Sequence, residues 1–247
     1  MTLNGSKGVE FVNDKIAKEK LNIILLVDAS KSMSGKRMGQ IDGAIEDIKG
    51  YLVDLQAENA NVDFYITIIP FSTTSYFYNN EKAINIEQFN YHGIEAKGWS
   101  NLHLAYENLA DILKKENQGG IMPDFGGIAP IILLLTDGHP TGNMYKDKLR
   151  EIENIPWFRA ALRYGIAIEL DDKRTIDVLR NFVGNNGDVI TCYDASILKN
   201  IIKIIVLTAS KVKSTCSNVS YQPKQTQNQQ MQQLIAEALS ETEEWEW

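Results

Sequence analysis

The chain has 247 residues, 44% of them hydrophobic, and a formal net charge of -7. That length is enough for one domain with a buried core, and the negative charge gives no long-range attraction to nucleic acid or to an anionic membrane. No apolar run approaches the roughly 20 residues of a membrane span, and residues 1–20 lack the apolar stretch of a signal peptide. With only two cysteines, we expect a cytoplasmic protein without nucleic-acid or membrane partners.

The first predicted element is a strand over residues 21–27, a continuous apolar run that ends at Asp28. Such a run is typical of a central strand that is covered on both faces. Apolar residues then recur at spacings of three and four between Met38 and Leu55, which predicts a helix that packs one stripe on the sheet. The chain therefore begins with a strand–loop–helix unit.

Strands and helices continue to alternate to about residue 211. The further predicted strands are residues 62–71, 83–89 (a weaker edge candidate), 128–135, 165–170 and 188–192. The further predicted helices are residues 102–113, 143–164 with an interruption at Pro156, 175–183 and 196–211. This alternation predicts an α/β, Rossmann-like fold, with a mostly parallel central sheet of about six strands flanked by helices on both faces.

The composition divides the chain into an arm (residues 1–20), one domain (21–216) and a Gln-rich linker with an acidic tail (217–247). The tail has too few apolar residues to form a core of its own. We expect it either to dock on another surface or to be a solvated acidic end. The docking candidates are Leu234, Ile235, Leu239, Trp245 and Trp247.

Oxygen-bearing side chains follow the predicted strands at one edge of the sheet. The segment Asp28-Ala29-Ser30-Lys31-Ser32 follows the first strand, Ser100 precedes a helix, and Asp137 follows the strand over residues 128–135. The carboxyl ends of parallel strands meet at one edge, and carboxylates and hydroxyls are the ligands that Mg²⁺ and Mn²⁺ prefer. We expect Asp28, Ser30, Ser32, Ser100 and Asp137 to hold one such ion directly or through water.

These residues resemble the von Willebrand factor A family and its metal-ion-dependent adhesion site. Within that family the chain is similar to the stand-alone, tellurium-resistance-associated TerY-like proteins. The phrases that carry the resemblance are residues 25–35 (LLVDASKSMSG), 134–141 (LLTDGHPT), 157–163 (WFRAALR) and 207–210 (LTAS). Two positions differ from the family pattern: Trp99-Ser100 stands where the family usually has a threonine, and Lys31 where it often has glycine.

The resemblance implies a cation-dependent protein-binding module and not an enzyme. Its bound ion would accept an Asp or Glu of a partner protein, with Lys31, Trp99 and His139 at the rim. Relatives of this kind are associated with bacterial stress-response and conflict systems, in which a protein kinase or phosphatase is an expected partner. Two alternatives stay open: a metal-dependent phosphoester hydrolase that uses Asp28 and Asp137, although a positively charged substrate clamp is missing, and an assembly subunit that acts through its tail.

Overall fold

The structure of the chain is a computed structural model that describes residues 18–58, 61–169, 172–184, 187–193, 198–200, 202 and 203. Within these ranges the chain forms one six-stranded sheet, five α-helices up to Val183 and further helical residues at 198–200, 202 and 203. The strands are β1 (Glu19–Asp28), β2 (Val62–Phe71), β3 (Ile84–Asn85), β4 (Ile131–Thr136), β5 (Leu162–Ile168) and β6 (Gly187–Cys192). The helices are α1 (Lys36–Glu58), α2 (Leu102–Ile112), α3 (Met144–Ile152), α4 (Pro156–Ala160) and α5 (Lys173–Val183).

The sheet has the strand order β3-β2-β1-β4-β5-β6. Only β3 is antiparallel to its neighbour, and every other pair is parallel. The chain moves from β1 outward to β2 and later returns to the other side of β1 as β4. The loops that follow β1 and β4 therefore diverge at the carboxyl edge of the sheet, which is the topological switch point where α/β folds commonly bind ligands.

The two faces of β1 bury alternate residues against different helices, as the period of two in a strand requires. Leu21, Ile23, Leu25 and Val27 belong to the cluster that contains the apolar stripe of α1. Ile24 and Leu26 belong to the opposite cluster, which contains buried residues of α2, α3, α4 and α5. The prediction of a central strand covered on both faces, and of the α/β fold as a whole, is confirmed.

The largest difference from the predicted elements lies between Glu153 and Tyr164. The predicted helix over residues 143–164 is two short helices, and Pro156 occupies the first turn of the second helix, where its missing N–H removes no bond. The strand predicted over 165–170 begins earlier, at Leu162. Leu162 and Arg163 pair with Ile131 and Ile132, so the chain enters the sheet directly after α4.

Two smaller differences concern the predicted ends of the domain. The edge strand expected over residues 83–89 is reduced to Ile84 and Asn85. Of the helix expected over 196–211, the described residues 198–200, 202 and 203 are helical, and the remainder lies outside the described residues. Residues 1–17 of the predicted arm and residues 204–247, which include the whole predicted linker and tail, lie outside them too. Among the described helices, none combines the length and the apolar character needed to cross a membrane.

Candidate metal centre

Asp28 is the last residue of β1 and its side chain is completely buried. Its Oδ1 accepts a hydrogen bond from the Ser30 backbone N–H at 2.9 Å. Its Oδ2 accepts hydrogen bonds from the hydroxyls of Ser100 at 2.9 Å and Thr136 at 2.6 Å. A single carboxylate therefore ties together the loops after β1, before α2 and at the end of β4.

The charge of Asp28 is surrounded by neutral donors. Burial raises the pKa of its carboxyl group, and the hydrogen bonds from Thr136, Ser30 and Ser100 oppose that rise. Within the described part of the chain, no Lys or Arg forms an ion pair with Asp28. Burying a carboxylate without a countercharge costs free energy of folding, and a cation bound at the site would offset that cost.

The second carboxylate, Asp137, joins Asp28 through two serines. The Ser30 and Ser32 hydroxyls lie 3.1 Å apart, and the Ser32 hydroxyl donates to Asp137 Oδ1 at 2.8 Å. The structure thus brings all five predicted residues, Asp28, Ser30, Ser32, Ser100 and Asp137, into one connected group of oxygen atoms. They lie together because each follows a strand or precedes a helix at the same edge of the sheet.

Backbone hydrogen bonds lock the contributing loops to each other. The Lys31 N–H donates to Gly98 O at 3.0 Å, and the Lys97 N–H donates to Ala29 O at 2.8 Å. The Thr141 N–H donates to Ser100 O at 2.7 Å. The oxygen atoms are therefore held by a rigid frame, which is what a preorganised ion or ligand site requires.

A further constraint on the second loop comes from Gly98, whose φ is 81°. A Cβ at this position would overlap the Thr73 side chain. Thr73 Oγ1 also accepts the Trp99 N–H at 3.1 Å. Only glycine therefore allows the backbone that places Ser100 beside Asp28.

Three residues of the site were not among the predicted ones. Thr136 donates to Asp28, Arg37 contacts Asp137, and Glu169 contacts Arg37. Thr136 lies inside residues 134–141 (LLTDGHPT), one of the segments that carry the family resemblance, so the sequence did point to this position. The sequence pointed to Arg37 more weakly: a cation in the first turn of a helix is disfavoured by the helix dipole, so its presence there is unusual. Glu169 reaches the site only because β5 lies beside β4.

The predicted rim residues lie at the surface. Trp99 is 70% exposed, and Lys31 and His139 are also exposed. The predicted tail contacts, Leu234, Ile235, Leu239, Trp245 and Trp247, lie outside the described residues.

The donor set fits a small hard cation. It offers two carboxylates and three hydroxyls, which suits Mg²⁺ or Mn²⁺ and leaves positions for water or a foreign ligand. The residues that the structure describes contain no group of three or more His, Cys, Asp or Glu side chains that could hold a metal. Any ion here would therefore depend on serine oxygens as well as on Asp28 and Asp137.

Comparison with known proteins shows where the chain belongs. The model of the von Willebrand factor type A domain matches residues 22–203. Human inter-alpha-trypsin inhibitor heavy chain H6 is 34% identical over 131 residues, which is 50% of this chain and 9% of that protein. The bovine heavy chain H4 is 28% identical over 137 residues, or 53% of this chain and 14% of that protein. The chain thus spans only a small part of these relatives.

Two solved structures share the fold at low identity. Proximal thread matrix protein 1 from the mussel byssus, in crystal form 2, has a TM-score of 0.55 at 16% identity, covering 78% of this chain and 48% of that one. The open conformation of the pilus adhesin SpaC from Lactobacillus rhamnosus GG has a TM-score of 0.54 at 12% identity, covering 78% and 30%. At these identities the likeness shows the fold alone.

Proposed function

Since the chain belongs to the von Willebrand factor type A domain family, we propose that it is a protein-interaction module that holds one divalent cation, Mg²⁺ or Mn²⁺, at the carboxyl edge of its sheet. The residues that would hold the ion are Asp28, Ser30, Ser32, Ser100 and Asp137. When bound, such an ion supplies a Lewis acid that a carboxylate of a partner protein can reach.

The observation that carries the proposal is the state of Asp28. This carboxylate is fully buried, receives three hydrogen bonds from neutral groups and has no cationic partner among the described residues. A carboxylate used only for structure would be more stable with a cation or as an amide. The arrangement is instead what an ion site requires, because neutral hydroxyls can turn a lone pair toward a cation.

The surface around the site favours an acidic partner. Lys31 and Trp99 stand exposed on the two loops that flank Asp28. On the other side, His139 opens into a cleft of about 310 Å³ between α3 and α5 that is also lined by Lys146, Arg174 and Asp177. The charged lining of this cleft is thus two cations and one carboxylate. An acidic segment that reached the ion would therefore meet further positive charge.

The hydrolase alternative has less support from the geometry. A phosphoester hydrolase needs a cation that is free to hold the substrate phosphate. The guanidinium beside the site, that of Arg37, is already engaged by Asp137 and Glu169. Binding of a partner carboxylate requires no such additional cation.

The proposal is tested by titrating the protein with Mn²⁺ in a calorimeter. We expect one site in the wild-type protein and no measurable binding by Asp28→Ala. Asp54→Ala is the matched control, because Asp54 is an exposed carboxylate on α1, 18 positions after Lys36 and hence about 27 Å along the helix. Equal Mn²⁺ binding by wild type and Asp28→Ala would reject the site.

The biological setting extends this proposal. On the resemblance to TerY-like proteins, we place the module in a cytoplasmic stress-response or conflict system with a protein kinase or phosphatase as partner. Capture of such a partner should require Mg²⁺, fail in chelator and fail with Asp28→Ala. Capture that is the same in Mg²⁺ and in chelator would show that the partner binds elsewhere.

A further inference from the structure

Arg37 lies between the two carboxylates that follow β4 and β5. Its Nη1 lies 2.5 Å from Asp137 Oδ2, and its Nε lies 3.4 Å from Glu169 Oε2. The same Nη1 donates to Ser32 O at 3.2 Å. One guanidinium therefore contacts a proposed ion ligand, the loop that carries another, and a carboxylate outside the ligand set.

The positions of Arg37 and Lys36 go against the local preference of a helix. Both cations occupy the first turn of α1, where the helix dipole disfavours positive charge. Glu169 offsets this by accepting Lys36 Nζ at 2.5 Å and Gln40 Nε2 at 3.1 Å. The arrangement is therefore held by tertiary contacts and not by helix propensity.

Glu169 itself is held in an uncommon backbone conformation. Its φ is 50°, a region that non-glycine residues rarely adopt. Its N–H donates to Cys192 O at 2.8 Å, which fixes the residue between β5 and β6. The carboxylate is thus kept at the edge of the site, within reach of Arg37 whether or not Arg37 also contacts Asp137.

We infer that Arg37 is the internal counter-ion of the cation site, and that it exchanges Asp137 for Glu169 when a divalent ion binds. This inference rests on the proposed function. Asp137 has a side chain that is 1% exposed, and the Arg37 guanidinium offsets the cost of burying its charge in the ion-free protein. An ion at Asp137 would repel the guanidinium, and Glu169 provides the carboxylate that receives it.

The exchange makes Arg37 and Glu169 opposite determinants of cation affinity. Arg37 competes with the ion for Asp137, so removing its charge strengthens ion binding. Glu169 draws Arg37 away from Asp137, so removing the charge of Glu169 weakens ion binding. Neither residue need touch the ion for these effects, and both are therefore positioning residues.

The test measures Mn²⁺ affinity by calorimetry in wild type, Arg37→Gln, Glu169→Gln and Lys173→Gln. We expect Arg37→Gln to bind about tenfold more tightly and Glu169→Gln about tenfold more weakly, as for partly buried charges at close range. Lys173→Gln removes the same charge from an exposed side chain at the start of α5. It controls for long-range electrostatics and should change the affinity by about threefold or less.

A second readout needs no bound ion. In chelator, Arg37→Gln should unfold at a lower temperature than wild type, because buried Asp137 loses its ion pair with the guanidinium. Added Mg²⁺ should raise the unfolding temperature of this variant by more than it raises that of wild type. Arg37→Lys, which keeps the cation, covers the case that Arg37→Gln does not fold in chelator, and it should bind Mn²⁺ within about threefold of wild type because the competing positive charge is kept.

The outcomes separate this inference from the proposed function. Mn²⁺ binding by wild type with equal affinities for Arg37→Gln and Lys173→Gln would overturn the counter-ion role and leave the metal site standing. If wild type fails to bind but Arg37→Gln binds, the counter-ion role is supported and the metal site of the wild-type protein is rejected. If neither protein binds Mn²⁺, both proposals fail.

Discussion

Two of the charged residues that the described part of the chain buries, Asp28 and Arg163, are surrounded in different ways. The Arg163 guanidinium donates to the backbone carbonyls of Phe158, Phe182 and Val183 and lies over the Phe158 ring at 4.3 Å. Each of its three nitrogens donates to a carbonyl at the end of α4 or α5. Asp28 instead receives one backbone N–H and two hydroxyls that can rotate. A buried charge held by fixed backbone carbonyls indicates a structural role, and a buried charge with rotatable neutral partners indicates a site.

Burial affects the two groups in opposite directions, as the chemistry of the groups requires. It lowers the pKa of Arg163 to about 10 and raises the pKa of Asp28. Both shifts mean that the neutral form is favoured relative to water. For Arg163 the carbonyls compensate the cost permanently, whereas for Asp28 the proposed cation would do so only when bound.

The largest expected effect comes from Arg163→Met, which removes the structural charge. We expect a loss of about 3 kcal/mol of unfolding free energy, because the carbonyls at the ends of two helices lose their donors. Urea denaturation measures this loss. Arg150→Met is the control, since Arg150 is an exposed arginine whose salt bridge joins Asp147 on the same helix, and it should change stability by about 0.5 kcal/mol or less. A similar loss in both variants would contradict the structural role.

Asp28→Asn should increase the free energy of unfolding, whereas Arg163→Met should decrease it. In chelator at neutral pH, we expect a gain of about 1–2 kcal/mol, because an amide of the same shape avoids the cost of burying a charge without a counter-ion. With Mg²⁺ present, wild type should be stabilised and Asp28→Asn should not. A variant that is less stable than wild type in chelator would show that the Asp28 charge is compensated within the folded protein.

Gly98→Ala tests the backbone conformation that positions Ser100, and its expected effect on stability is smaller. Its positive φ and the overlap with Thr73 should cost about 1–2 kcal/mol and move Ser100, which should also weaken Mn²⁺ binding. Gly39→Ala is the matched control, because Gly39 lies within α1 and an added Cβ meets no atom within 4 Å. That change should add about 0.5–1 kcal/mol of stability. Equal stabilisation at both positions would refute the argument from backbone conformation.

The smallest effect on stability is expected from ending the chain at Asn218. The Gln-rich composition of residues 219–247 lacks the apolar surface needed to offset its ordering entropy, so the unfolding temperature should change by only about a few degrees. If the tail docks, self-association or partner binding measured by sedimentation should be lost. A truncated chain that does not fold would show that the tail belongs to the core.

Most of the fold could be predicted from local patterns. The sequence contains the apolar run of β1, the spacing of apolar residues on α1 and the alternation of strands with helices. These patterns predict the fold because side chains repeat every two residues in a strand and every 3.6 in a helix, which determines the buried face. The placement of Asp28, Ser30, Ser32, Ser100 and Asp137 at one edge could be predicted as well, because a parallel sheet brings the residues after its strands to one edge.

The positions of Arg163, Arg37 and Glu169 were decided only by tertiary structure. Arg163 lies in a stretch that was predicted to be helical, and it is a strand residue because β4 offers a pairing edge and α5 offers carbonyls. Arg37 and Glu169 are 132 positions apart in the printed chain and meet because β5 lies beside β4. Charges act through space, and the order of residues alone does not specify which of them will be neighbours or how deeply each will be buried.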